Sequence, residues 1–134
     1  MLSVFPSLLI LGIFAPFILR LSVGVYFFYT GYRHIKEERE ILVKEFANKF
    51  KTIAKPLVVI VAIIEMILGL SLVAGFLTQI AAILGMIFAL KLLWFKDKYP
   101  TFAKDGKVFY ALVFIILLSL LLTGAGAPAV DLPL

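Results

Sequence analysis

Three ionisable side chains stand inside otherwise apolar stretches of the sequence: Arg20, Glu65 and Lys91. Glu65 belongs to the run "VAIIEMILGL", where the four residues on either side are apolar or glycine. An ionised group inside hydrocarbon costs about 2.5 to 3.5 kcal/mol on insertion scales, so each of these residues needs a physical reason. A carboxylate or a guanidinium in such a place can hold a substrate oxygen, carry a proton or pair with an opposite charge.

The composition predicts an integral membrane protein. Of the 134 residues 63% are hydrophobic, which lies outside the range of soluble globular proteins. A helix needs about 20 apolar residues to cross about 30 Å of hydrocarbon. We therefore expect one all-α domain over residues 1–134, a four-helix transmembrane bundle whose spans are residues 7–32, 56–77, 78–95 and 108–123.

The charged residues predict the orientation of the bundle. Eleven of the 13 Lys and Arg lie in residues 33–55 and 96–107, two segments that four spans place on the same side. By the positive-inside rule both basic loops are cytoplasmic and both termini are outside. Residues 33–55 also carry apolar residues at helical spacing, which indicates an amphipathic cytoplasmic helix against the membrane lipid. Because the charge is needed for orientation, we do not interpret it as a nucleic-acid site.

Some chemistry is excluded for this chain alone. It contains no cysteine, and His34 is its single histidine, which excludes cysteine-ligated iron–sulfur clusters and bis-histidine haem. We expect no metal site, and we interpret His34 as a structural residue at the membrane exit of the first span. Electrons would have to pass to another chain, so the sequence leaves open whether this one is an enzyme.

Glycines accompany two of the buried charges. Gly24 and Gly31 share a helix face with Arg20, and Gly69 lies one turn beyond Glu65. Small residues let a neighbouring helix approach closely, so both charges are expected to face the interior of the bundle. We predict that Arg20 and Glu65 meet between the first two spans. They would form either a buried ion pair that fixes helix register or a site for a proton or a substrate.

Two further positions depend on helix depth. Lys91 lies five residues before Lys96 and is expected to extend to the cytoplasmic boundary. On the helix it points away from the small-residue face formed by Ala81, Gly85 and Ala89. Pro6 and Pro16 leave two starts for the first span. Residues 1–14 are either an apolar lead-in along the outer surface or part of one kinked membrane helix.

Tyr26 and Tyr29 lie toward the inner end of the first span. An interfacial aromatic belt accounts for them. They could instead form the wall of a pocket for a quinone or quinol, with Arg20 or a tyrosine hydroxyl donating to a quinone oxygen and Glu65 accepting or relaying the proton. The spacing does not distinguish a quinone from a lipid headgroup.

The segments "LRLSVGVYFFYTG" and "EMILGLSLVAGFLTQIAAIL", followed by a last apolar span that closes on "GAG" with Asp131 five residues later, resemble the DoxX family of small four-span membrane proteins. The resemblance runs from about residue 18 to residue 131. Where that family often has a lysine after the glycine ending the first span, this chain has Arg33 and His34. The positions that match the family's recurrent residues are Arg20, Gly24, Gly31, Glu65, Gly69, Gly75, Gly124, Gly126 and Asp131.

The resemblance implies a small membrane subunit of a quinone-linked assembly, of the quinol oxidase or thiosulfate:quinone oxidoreductase type. Its expected partners are membrane lipid and either a redox or membrane subunit or further copies of the chain. The alternative is a structural or lipid-binding accessory subunit without catalysis. A small transporter that uses Glu65 as a proton site is a third possibility, for which four spans leave little room.

Overall fold

The computed structural model describes residues 4–98, 100 and 103–126, and within these ranges the regular structure is helical. The described α-helices are α1 (Phe14–Lys36), α2 (Arg39–Phe50), α3 (Ala54–Ala74), α4 (Thr78–Phe95) and α5 (Lys107–Thr123). Two 3-10 helices, Pro6–Ile13 and Lys51–Ile53, precede α1 and α3.

The predicted helical membrane bundle is confirmed. The segments that contain α1, α3 and α4 are long and apolar enough to cross a membrane. The 17 residues of α5 are equally apolar but shorter, and they rise about 25 Å along the helix axis. These four helices correspond to the four predicted spans.

The first span begins with a change of helix type. Residues 6–13 form a 3-10 helix with no buried residue, and the regular α-helix starts at Phe14. Pro16 lies in the first turn of α1, where its missing N–H leaves no intrahelical hydrogen bond unmade. The regular α-helix thus starts near Pro16, and the 3-10 helix continues directly into it, so residues 6–36 form one helical segment.

The centre of the bundle is a close antiparallel contact between α1 and α3. A Cβ atom on Gly69 would lie 2.5 Å from the Phe28 nitrogen and 2.6 Å from the Gly24 oxygen. A Cβ atom on Gly31 would lie 2.7 Å from the Ala62 oxygen and 3.0 Å from the Glu65 Cβ. Because the two backbones touch, the glycines face the interior as predicted, and they bring the side chains that flank them into contact.

The helices α4 and α5 pack beside this pair. A Cβ atom on Gly85 would lie 2.9 Å from a Leu117 methyl group, and Leu117 belongs to the buried core together with Phe27. Between α3 and α4 the chain turns within three residues, and Gly75 adopts the left-handed conformation (φ 72°) that closes the end of α3. Its amide donates to the Leu72 carbonyl and the next amide donates to the Ser71 carbonyl, as in a Schellman motif.

The helix α2 differs from the predicted surface helix. It covers only Arg39–Phe50, because α1 continues to Lys36. Leu42 and Phe46 are buried in a second core cluster with residues of α3, α4 and α5. The apolar face of α2 therefore packs on the bundle. We call one end of the bundle the basic end; it carries α2 and the connection between α4 and α5, residues 96–106. We call the opposite end, which carries the α3–α4 turn, the neutral end.

Candidate functional site

Glu65 is hydrogen-bonded to His34. The Nδ1 atom of His34 lies 2.7 Å from Oε2 of Glu65, and the side chains are 1% and 0% exposed. His34 lies in the last turn of α1, three residues after Gly31 and on the same face. Because Gly31 has no side chain, α3 approaches closely enough for the carboxylate of Glu65 to reach the imidazole.

A second carboxylate lies on the other side of the imidazole. The amides of Glu37 and Glu38 both donate to the Arg33 carbonyl, at 2.9 and 3.1 Å, and end α1. This turn directs the buried Glu38 back toward the helix, with Oε2 3.7 Å from Nε2 of His34. We name Glu65, His34 and Glu38 the acid–imidazole row. Both nitrogen atoms of the ring face a carboxylate within it.

Two cations lie next to Glu38, the carboxylate of the row that is nearer to the surface. Nε of Arg33 lies 3.4 Å from Oε1 of Glu38, and Nζ of Lys104 contacts the same oxygen. With both glutamates ionised, Arg33 and Lys104 bring the formal charge to zero when His34 is neutral. The charge of the two carboxylates is thus compensated by cations of the same site.

Glu65 has one oxygen left over. Oε1 is buried, and no described residue forms a hydrogen bond with it. Most buried polar atoms in proteins have a partner. A carboxylate oxygen in this condition can accept a hydrogen bond from a ligand hydroxyl, or it can carry a proton itself.

The geometry of the row differs from that of a typical metal site. The ring nitrogens of His34 face different carboxylates, so the row does not direct both carboxylates and a nitrogen lone pair at one point. In residues 4–98, 100 and 103–126 there is no group of three His, Cys, Asp or Glu side chains placed to hold a metal ion.

The α4–α5 connection covers the basic end of the bundle. The Tyr26 hydroxyl donates to Oδ2 of Asp105 at 2.7 Å, and the Asp105 amide donates to the Tyr110 hydroxyl at 3.2 Å. Nζ of Lys96 donates to the carbonyls of Ala103 and Lys104, at 3.3 and 3.4 Å. These bonds hold the connection against α1 and α5 and place Lys104 beside Glu38.

Tyr26→Phe should lower the free energy of unfolding by about 1 kcal/mol, the net value of a hydrogen bond to a partly buried partner. Tyr29→Phe is the matched control, because Tyr29 lies three residues away and is 57% exposed. Equilibrium unfolding of both variants in lipid–detergent micelles measures the difference. Equal losses in the two variants would show that the Asp105 contact does not stabilise the fold.

Arg20 lies far from Glu65, so the predicted pairing of these two residues is wrong. Its Nη1 atom donates to the Ala125 carbonyl at 2.9 Å, and its guanidinium lies 5.2 Å from the centroid of the Phe17 ring. Eleven residues of α1 separate Arg20 from Gly31, which lies against Glu65, and this corresponds to about 16 Å along the helix axis. Arg20 belongs to the neutral end of the bundle.

The other candidates are placed as follows. Tyr26 is half-buried and joins the Asp105 network, whereas Tyr29 is on the surface with the Arg33 guanidinium 5.6 Å from its ring centroid. The four predicted ligand-binding residues thus do not line one pocket. Lys91 is exposed on α4, on the side predicted from the small-residue face. Asp131 lies outside the described residues.

Sequence reasoning missed the pairing of His34 with Glu65. The first span was expected to end at residue 32, which placed His34 in a charged surface helix, whereas α1 continues to Lys36. The available signal was the spacing of Gly31 and His34, which puts the imidazole on the glycine face of α1. His34 also lies one helical turn before Glu38.

The DoxX family model matches residues 15–96, which extend from the start of α1 to the end of α4. The matched region includes Arg20, His34 and Glu65. Comparisons with curated proteins and with solved structures gave no match. Since the family model covers more than half of the sequence, and the described helices form an apolar bundle with an internal carboxylate, the chain belongs to the DoxX family of membrane proteins.

Proposed function

We propose that the protein is a small subunit of a quinone-linked membrane assembly, of the quinol oxidase or thiosulfate:quinone oxidoreductase type. In this proposal Glu65 and His34 exchange a proton with a quinol or quinone. The observation that supports it is the buried Oε1 atom of Glu65, which no described residue hydrogen-bonds. A quinol hydroxyl is a donor of the kind that such an acceptor needs.

The chemistry that the pair can supply is proton transfer. Oxidation of a quinol to a quinone releases two protons and two electrons. The Glu65 carboxylate can accept one of these protons at Oε1, and the His34 imidazole, whose Nδ1 is hydrogen-bonded to Oε2, can hold the second. The electrons pass to a redox centre on a partner subunit, which is a separate part of the proposal.

The proposal also assigns an orientation. The basic end, with α2 and residues 96–106, faces the cytoplasm, and the neutral end with both termini faces outside, since Lys and Arg are concentrated at the first of these ends. Membrane lipid surrounds the apolar faces, and the partner is a redox or membrane subunit or another copy of the chain. Arg20 is then a ligand-binding candidate for the neutral end and not for the proton site.

A structural accessory subunit is the second candidate. The observation in its favour is that Glu65 lies within the tight α1–α3 contact, where its Cβ is next to Gly31. A polar pair in such a contact can fix the register of two helices without any chemistry. Lipid binding at the apolar surface would then be the main interaction of the protein.

Binding of a short-chain quinone analogue to the purified protein tests the proposal. We expect saturable stabilisation against thermal unfolding in the wild type and its loss in Glu65→Gln and His34→Gln. Arg20→Gln is the control, because Arg20 lies about 16 Å from the level of Glu65 along α1. Circular dichroism checks that every variant is folded before the titration.

Two results would contradict the proposal. If no quinone analogue stabilises the wild type, the structural subunit is favoured. If Glu65→Gln and His34→Gln bind the analogue as tightly as the wild type, the protein binds quinone elsewhere and the pair is not its proton site. Loss of binding in Arg20→Gln alone would move the ligand site to the neutral end.

A further inference from the structure

We infer that the proton on Glu65 exchanges with water only at the basic end of the bundle, along the acid–imidazole row, with Glu38 as the outer proton carrier. The inference extends the proposed function, because it assumes that Glu65 changes its protonation during the reaction. It adds the side of the membrane from which the proton comes and the residue at which it enters.

The first support is the order of exposure along the row. Glu65 and His34 are buried, and 6% of the Glu38 side chain is exposed. Lys104, in contact with Glu38, is 49% exposed and marks the surface of the basic end. Each step from Glu65 to Glu38 leads from one titratable group to the next and toward water. Rows of Glu and His side chains in membrane proteins are typical proton relays.

The distances suit proton transfer. The first step, from Glu65 Oε2 to His34 Nδ1, is a hydrogen bond of 2.7 Å. The second pair, His34 Nε2 and Glu38 Oε2, is 3.7 Å apart, and an approach of about 0.8 Å would bring it to the usual length of a hydrogen bond.

The second support is the apolar packing on the other side of Glu65. Toward the neutral end α3 continues with the buried Leu68, Gly69 and Leu72. At Gly69 the backbones of α1 and α3 are too close even for a methyl group. The nearby Thr30 hydroxyl donates to the Tyr26 carbonyl of its own helix. A water molecule needs room and several polar partners, and this contact supplies neither.

The charged and titratable groups around the row come from all the elements packed against it. Arg33 and His34 are contributed by α1, Glu38 by the α1–α2 turn, and Lys104 by the α4–α5 connection. Tyr110 of α5 lies within electrostatic range of Glu65. The two cations lie beside Glu38, at the end of the row that is nearest to water.

The transfer step balances within the row. It begins with a protonated Glu65, a neutral His34 that carries its proton on Nε2, and an ionised Glu38. Nδ1 takes the proton from Glu65, and Nε2 gives its own proton to Glu38. The step ends with an ionised Glu65, a neutral His34 protonated on Nδ1, and a protonated Glu38. A transfer in the opposite direction, in which Nε2 takes a proton from Glu38 and Nδ1 gives its proton to Glu65, restores the first tautomer.

Infrared spectroscopy of the protein in sealed liposomes tests the inference. The difference between wild type and Glu65→Gln identifies the carboxylic C=O band of Glu65. A protease specific for Lys and Arg is added outside the vesicles and cleaves the molecules whose basic end faces outward, since most Lys and Arg are at that end. The molecules that stay intact have the basic end inside, which defines their orientation. The pH is then changed on one side of the membrane while the other side is held constant.

We expect the Glu65 band to follow the pH on the side of the basic end and to ignore the pH on the other side. In Glu38→Gln the response should be slower by about 100-fold, the low end of the contribution of a positioned proton-transfer group. Glu37→Gln is the matched control, because Glu37 is the adjacent residue and is exposed, and its response should equal that of the wild type.

Three outcomes would overturn the inference: a band that follows the pH at the neutral end or on both sides, an unchanged rate in Glu38→Gln, or a Glu65 that does not change its protonation at any pH. The test requires no quinone. If quinone analogues fail to bind while the one-sided response is seen, the proposed function fails and the proton path remains. If the analogues bind and the response is two-sided, only the path fails.

Discussion

His34→Ala should lower the free energy of unfolding by about 3 kcal/mol, the typical loss when one member of a buried charged pair is removed. The reason is that Glu65 remains fully buried and loses the hydrogen bond from Nδ1. Glu38 is less affected, because Arg33 and Lys104 still contact it. Equilibrium unfolding in lipid–detergent micelles, followed by circular dichroism, measures the loss.

A double-mutant cycle separates this effect from loss of packing. We expect His34→Leu and Glu65→Leu to destabilise the protein singly and the double variant to be more stable than the sum predicts, because two apolar side chains leave no charge without a partner. Additive losses would show that the two side chains are not coupled, and the pairing would then not account for the position of Glu65.

Gly69→Ala should lower the free energy of unfolding by about 2 to 3 kcal/mol, the usual cost of overpacking a close contact. The added methyl group would meet backbone atoms of Phe28 and Gly24, and backbone atoms cannot move aside as a flexible side chain can. The helices α1 and α3 would have to separate, which also lengthens the contact between Glu65 and His34.

Gly12→Ala is the control for this substitution, because a Cβ at that position would point into open space, with no atom from another part of the chain within 4 Å. It should leave the midpoint of thermal unfolding unchanged. If Gly69→Ala is as stable as Gly12→Ala, the backbones of α1 and α3 are not in contact in solution, and the explanation of the buried pair through glycine packing is wrong.

The bundle could be predicted from the sequence because the apolar segments that form its helices are long. Each of the four apolar segments extends over about 16 residues or more, and hydrophobicity of that length predicts a membrane helix with few alternatives. The inward direction of Glu65 was also predicted correctly, from Gly69 one turn away. Both inferences need only the properties of a single helix.

The partner of Glu65 could not be predicted in the same way. It depends on the relative depth of two helices, and an error of a few residues in the end of α1 changed the expected partner from His34 to Arg20. Residues 33–36 are charged and look like a surface segment, but they continue α1 until the Glu37 and Glu38 amides bond the Arg33 carbonyl. Helix ends are the least certain part of any prediction from sequence.

The same limit applies to α2. Its apolar residues recur at helical spacing, and this pattern suits a helix on a lipid surface and a helix on a protein surface equally well. The structure shows the second arrangement, with Leu42 and Phe46 buried in the bundle. Which apolar surface a helix covers is a property of the tertiary structure and is not encoded in the periodicity of the helix alone.

The glycine contact between α1 and α3 also determines how the molecule can deform. Two helices whose backbones touch cannot slide past each other or rotate without a clash, so α1 and α3 act as one stiff unit. The pair α4 and α5 meets this unit through side chains such as those of Phe27 and Leu117, and such contacts yield to small shear displacements. A change of shape in the bundle would therefore move α4 and α5 together, and the Lys104–Glu38 contact, which joins the α4–α5 connection to the end of α1, is where the two units would separate or close.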